Sequence, residues 1–164
     1  FGGAYLSGTS QFEYLASERG IRVMCSARMD NDFIYEAYRR GAGAVLYSGC
    51  HPQDCHYITG QLVGASRADR LQKTFEKMGM TPGRFRVEWI SAAEGEKYAR
   101  VVNDMQKVID DIGKDKLMQE IEALRPEMEK RARRMYEVPD VTSASDFSDR
   151  MVAAMNVEAA KYGK

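Results

Sequence analysis

The chain has 164 residues, 44% hydrophobic and 29% charged, which suits one globular domain or a small domain with a helical tail. Its formal net charge of zero argues against a nucleic-acid binder, because neutralising phosphates requires a basic surface. No apolar run approaches the roughly 20 residues of a membrane-spanning helix, and the opening segment has no signal-peptide pattern.

In chain order, Gly20 to Ala27 (GIRVMCSA) is a short apolar run that reads as a first strand. Asp30 is a good N-cap for a helix in which Phe33, Ile34, Ala37 and Tyr38 recur at helical spacing, with Gly41 as its stop. Ala44 to Ser48 reads as a second strand, apolar on both faces as a parallel strand requires. Gly49 to Gly60 is a loop with two cysteines and two histidines. Ala65 to Met78 follows as a helix with Leu71, Phe75 and Met78 on one face, and Phe85 to Ile90 as a third strand. Ser91 and Glu94 form a capping-box pattern ahead of a long helix over Ala92 to Ile112, ending at Gly113. The β-α-β-α-β-α order predicts an α/β domain over residues 1–113, with a small parallel sheet flanked by helices and right-handed crossovers. Residues 114–164 are expected to be a charged helical extension that docks a partner. Within it, the alternating charges of 114–136 predict a solvent-facing helix that Pro126 ends or kinks. Val138 to Thr142 reads as a linker. Ser143 and Asp146 then cap a terminal helix with Phe147, Met151, Val152 and Met155 in one apolar stripe.

The chemistry concentrates on Cys25, Cys50 and Cys55. Three unevenly spaced cysteines are not a secreted disulfide framework, and a reducing, cytoplasmic compartment is expected. Cys25 ends the first expected strand, Cys50 follows the second, and the C-x4-C spacing brings Cys55 to the same sheet edge, where open α/β sheets bind ligands. Three converging thiolates make a soft-ligand pocket for an iron–sulfur cluster or zinc. A four-ligand site is one short. His51 or His56, residues upstream of Phe1, or a partner chain are all open as the fourth donor. Buried packing is the bland reading of Cys25. It is the weaker reading of Cys50 and Cys55, whose Cys–His pairs sit in a Gly/Pro loop. Arg22 and Arg28 flank Cys25 and either stabilise added negative charge or are solvated surface. Trp89 reads as core or interface packing.

The segments GTS (Gly8 to Ser10), IRVMCSARMD (Ile21 to Asp30), GAGAVLYSGCHPQDCHYITG (Gly41 to Gly60) and RVEWISAAEGEKYARVVN (Arg86 to Asn103) occur in this order. Together they resemble the delta subunit of methyl-viologen-reducing nickel–iron hydrogenase over residues 1–113. The resemblance implies a [2Fe–2S] cluster, with Cys25, Cys50 and Cys55 matching family cysteines. It implies a non-catalytic relay protein passing electrons between a hydrogenase or formate dehydrogenase module and the flavin-containing A subunit of heterodisulfide reductase. It further implies a C-x-x-C pair just before the Phe1-Gly2-Gly3-Ala4 stretch, and so a longer polypeptide. Three alternatives stand beside it: a structural zinc adaptor, a thiol oxidoreductase using Cys50 and Cys55, and a nucleotide- or flavin-binding domain. The last two are weaker, because neither a C-x-x-C nor a G-x-G-x-x-G motif is present.

Overall fold

The protein is described by a computed structural model covering residues 2–132; the expected linker, terminal cap and apolar stripe beyond Val138 lie outside the described residues. The chain opens with a short helix, α1 (Gly2–Thr9), which packs along the helix α4 (Gly95–Ile112). Asp30 caps α2 (Asn31–Arg39) as expected, its side chain accepting the Asp32 N–H. Then come β1 (Val45–Gly49), α3 (Gly60–Lys77) and β2 (Phe85–Trp89), followed by α4 and α5 (Lys114–Ala132). The strands are parallel, with Val45 opposite Phe85 and Gly49 opposite Trp89, and α3 is the crossover that joins them. The α/β architecture is therefore present, with a two-stranded sheet among the described residues.

The expected first strand is absent. Residues 20–25 are irregular and lead into a 3-10 turn, Ser26–Arg28. At the end of this run side chains hold the carbonyls. Tyr47 Oη donates to the Ser26 carbonyl at 2.8 Å, and Arg67 donates to those of Ala27 and Met29. Side chains thus take bonds that a ladder would have supplied, and Ile21 and Met24 face solvent instead of a sheet.

The core explains the remaining order. Ile34, Tyr35 and Tyr38 of α2 meet Tyr47 of β1, Ala68, Leu71 and Phe75 of α3, and Phe85 of β2. Phe75 is the hub, with its ring edge-on to Tyr35, Tyr38 and Phe85 at centroid distances of 5.9, 5.3 and 5.1 Å.

Of the end or kink expected at Pro126, α5 shows no end, and it departs from expectation in not being wholly solvent-facing, because Ile121, Met128 and Ala132 are buried. Met128 and Ala132 join the cluster around Phe75, and burial on both sides of Pro126 holds the helix together despite the hydrogen bond that proline removes. Arg84, 1% exposed, anchors α5 as well. It donates to Glu120 at 2.7 Å and to the Gly43 carbonyl at 2.6 Å, while Glu120 also accepts the Thr81 N–H and hydroxyl. No described helix is long and apolar enough to cross a membrane.

Candidate functional site

Cys25 is extended (φ −152°, ψ 149°) and leads into the Ser26–Arg28 turn. That turn lies against α3. Gly64 permits the approach, since a Cβ there would stand 2.6 Å from Ser26 Oγ. Tyr47 and Arg67 hold the turn's carbonyls, so strand, turn and helix all fix the cysteine. The Arg28 guanidinium lies over the Phe33 ring, 5.4 Å from its centroid.

Cys55 reaches the same place from the loop after β1. Gly60 opens α3 beneath both sulfurs: a Cβ at this position would collide with Cys25 Sγ and lie 3.4 Å from Cys55 Sγ. The Gln61 N–H donates to Cys55 Sγ at 3.3 Å. This explains why α3 begins at Gly60 and not at Ala65. Thr59 gives no side-chain cap, and the cysteine sulfur takes a free N–H of the first turn. Partial desolvation opposes ionisation of Cys55. The N–H groups of Tyr57 and Gln61, the Cys25 thiol and the Gly60 N–H outweigh it, and the thiol pKa falls below its ordinary range.

Cys50 is the residue just past β1 and is exposed. The structure thus brings Cys25 and Cys55 together and leaves Cys50 at the head of the same loop. Among the described residues, no group of three or more Cys, His, Asp or Glu stands at metal-holding spacing. His51 Nε2 lies 2.5 Å from Glu94 Oε2. The Glu94 pKa is held at about 2, first by the Ser91 N–H and then by His51. His56 packs edge-on to Tyr57 at 5.2 Å.

The loop is tightly wound. Asp54 N–H donates to the His51 carbonyl, and Ile58 N–H to that of Cys55. Ile58 has φ 62°, a left-handed conformation that a β-branched residue rarely adopts. It is also 85% exposed, and Met24 and Leu62, each close in sequence to one of the two cysteines, are 70% and 64% exposed. Large apolar side chains thus face water on the segments that carry the thiols.

Sequence reasoning missed Gly60, Gln61, Gly64, Arg67 and Tyr47. The Gly-x-x-x-Gly spacing of Gly60 and Gly64 was a usable signal, because positions four apart share a helix face. Tyr47 and Arg67 carry no local signal of their role.

Fold and site define a small α/β domain in which a helix start cradles a pair of thiols beside exposed apolar side chains. The chain belongs to the family described as methyl-viologen-reducing hydrogenase, delta subunit, which matches residues 1–113. Among its relatives is the iron-sulfur D subunit of the vhc F420-non-reducing hydrogenase of Methanococcus voltae, 41% identical over 69% of this chain and 78% of the relative. The iron-sulfur D subunit of the F420-non-reducing hydrogenase of Archaeoglobus profundus is 37% identical over 67% of this chain and 80% of its own length. The A subunit of the ferredoxin/F420H2-dependent CoB-CoM heterodisulfide reductase of Methanosarcina acetivorans is 42% identical over 67% of this chain. The matched segment spans only 14% of that much longer protein.

Proposed function

We propose that this chain is an electron-relay protein whose Cys25, Cys50 and Cys55 hold a [2Fe–2S] cluster. In this reading it passes electrons between a hydrogenase or formate dehydrogenase module and the flavin-containing A subunit of a heterodisulfide reductase. The observation that carries the reading is the convergence of Cys25 and Cys55 over Gly60, with backbone N–H groups aimed at Cys55. Soft thiolates with N–H donors suit an iron–sulfur centre. When bound, such a centre takes up and releases one electron at a time. The chain's own part is to fix the thiols and supply hydrogen bonds to sulfur. Cys50 would join from the head of the loop. The fourth position falls to a histidine, to a partner chain, or to the cysteine pair the family resemblance implies.

The partner assignment rests on relatives named as hydrogenase iron-sulfur proteins, and on others named as A subunits of heterodisulfide reductases, in which the matched segment is a small part of the chain. The exposed Met24, Ile58 and Leu62 support a contact close to the thiols.

The test is iron and sulfide analysis of the native polypeptide, with visible and EPR spectra before and after dithionite reduction. A two-iron signal lost in Cys25→Ser and Cys55→Ser is expected. A colourless protein containing zinc, or one with neither metal, overturns the reading.

A further inference from the structure

We propose that Cys25 and Cys55 are a reversible dithiol–disulfide pair, closed by exchange with a low-molecular-weight disulfide when the two sulfurs hold no metal. The contact is made by two segments far apart in the chain. The volume a Cβ on Gly60 would occupy is taken by Cys25 Sγ, and Cys55 Sγ lies 3.4 Å from the same point. The Cys25 thiol hydrogen-bonds Cys55. Cys50 stands apart, exposed at the head of the loop, while Cys25 and Cys55 are both half-buried. No group of three or more donors stands at metal-holding spacing among the described residues, so the two sulfurs as they stand form a dithiol.

The surroundings divide the roles between the two. Cys25 is held, because Tyr47 and Arg67 bind the carbonyls of the turn behind it and Gly64 seats that turn against α3. Cys55 sits in irregular chain between β1 and α3. The adjustment that brings the sulfurs to bonding distance, about 2 Å, therefore falls to Cys55. The Gln61 N–H donates to Cys55 Sγ at 3.3 Å, and a donor at sulfur favours thiolate over thiol. Met24 and Ile58, close in sequence to the two cysteines, are largely exposed, which leaves a small disulfide room to approach.

The exchange runs in two steps. Cys55, as thiolate, attacks one sulfur of a disulfide RSSR. That S–S bond breaks, and the departing RS⁻ takes up the proton that Cys55 released. Cys25 then attacks the Cys55 sulfur of the mixed disulfide, and the second RS⁻ leaves with the Cys25 proton. The pair loses two electrons and RSSR gains them, giving one protein disulfide and two RSH. Contact between Cys25 and Cys55 replaces a bimolecular encounter in the second step, so the mixed disulfide does not accumulate. Excess RSH reverses both steps.

The experiment equilibrates the native polypeptide, before and after metal removal by a chelator, in anaerobic mixtures of reduced and oxidised glutathione. Samples are quenched in acid, alkylated, cut with trypsin and mapped by mass spectrometry. Cys25 falls in the peptide Val23–Arg28, and Cys50 and Cys55 share Gly41–Arg67, where fragmentation between them locates the bond. The folded, metal-free chain is expected to give a Cys25–Cys55 cross-link with Cys50 alkylated, lost again in excess reduced glutathione. In the urea-unfolded chain a Cys50–Cys55 link should outnumber it, because the shorter loop closes more readily. Cys50→Ser should leave the cross-link unchanged. Gly60→Ala, whose Cβ would displace Cys25 Sγ, should lower the equilibrium constant for closure by about tenfold. Separate glutathione adducts on Cys25 and Cys55, a bond from Cys55 to any other cysteine in the folded chain, or an unchanged constant in Gly60→Ala overturns the proposal. Iron in the isolated polypeptide with no cross-link after its removal overturns this proposal alone. A cross-link in a polypeptide isolated without iron or sulfide overturns the cluster reading alone.

Discussion

His51 Nε2 and Glu94 Oε2 stand 2.5 Å apart, and the same carboxylate oxygen accepts the Ser91 N–H at 2.7 Å. One carboxylate thus ties the head of the cysteine loop to the start of α4. The Ser91 N–H, followed by His51, holds the Glu94 pKa at about 2 against an ordinary 4.5. A depressed carboxylate stabilises the fold fully above its unfolded pKa, and that contribution is lost as pH falls through the folded one. Between pH 4.5 and 2 the native chain should therefore lose thermal stability more steeply than Glu94→Gln. Melting curves by circular dichroism on the metal-free chain measure this, and parallel slopes would refute it.

Ile58 bears backbone strain at φ 62° while standing almost fully in solvent. The left-handed region costs an L-residue about 1–2 kcal/mol, and asparagine tolerates it far better. Ile58→Asn is therefore expected to stabilise the isolated chain by about 0.5–1 kcal/mol in urea titrations. If the exposed apolar side chains are the partner contact, the same change should weaken binding to the proposed partner, the A subunit of a heterodisulfide reductase, read by calorimetry. Unchanged affinity would remove Ile58 from that contact.

Arg84 is 1% exposed, and its charge is met by Glu120 of α5. Removing one partner of a buried pair leaves an uncompensated charge and costs about 3–5 kcal/mol. Glu120→Ala should approach that loss, because it also strips the Thr81 N–H and hydroxyl of their acceptor. Chemical denaturation of the variant reads it directly. A loss below about 1 kcal/mol, the scale of a surface pair, would mean that α5 is not integral to the core.

Gly64 sets two opposing terms against each other. Alanine in a helix interior is favoured over glycine by about 1 kcal/mol. Its Cβ would, however, stand 2.6 Å from Ser26 Oγ and 3.3 Å from the Ser26 backbone, where little can yield. Overpacking of this kind costs about 1–3 kcal/mol, so Gly64→Ala should be destabilising on balance. It should also loosen the Cys25 turn, seen as faster alkylation of Cys25 in the metal-free chain. A more stable variant with unchanged alkylation would contradict the close approach.

Much of this protein was readable from sequence because the signals are local. Asp30 caps α2 through its own side chain, Glu94 reaches back to Ser91 although α4 begins at Gly95 and not at Ala92, and Gly113 ends α4. The alternation of helices with β1 and β2 followed from periodicity, and the cysteine loop from its Gly/Pro/Cys/His content. Three features depended on partners far away in the chain. The 20–27 run has strand composition, yet Tyr47 and Arg67 take the carbonyls of Ser26, Ala27 and Met29 and turn its end into the seat of Cys25. Pro126 was expected to end or kink a helix, and the burial of Ile121 and Met128 carries α5 past it without an end. Convergence of the cysteines was expected at strand ends of one sheet edge, but the meeting of Cys25 with Cys55 over Gly60, with Cys25 leading into a turn and Cys50 left at the head of the loop, needed the whole crossover in place. A pattern along the chain records what each residue prefers, whereas convergence of two sulfurs about thirty positions apart depends on close packing between elements, which no local preference encodes.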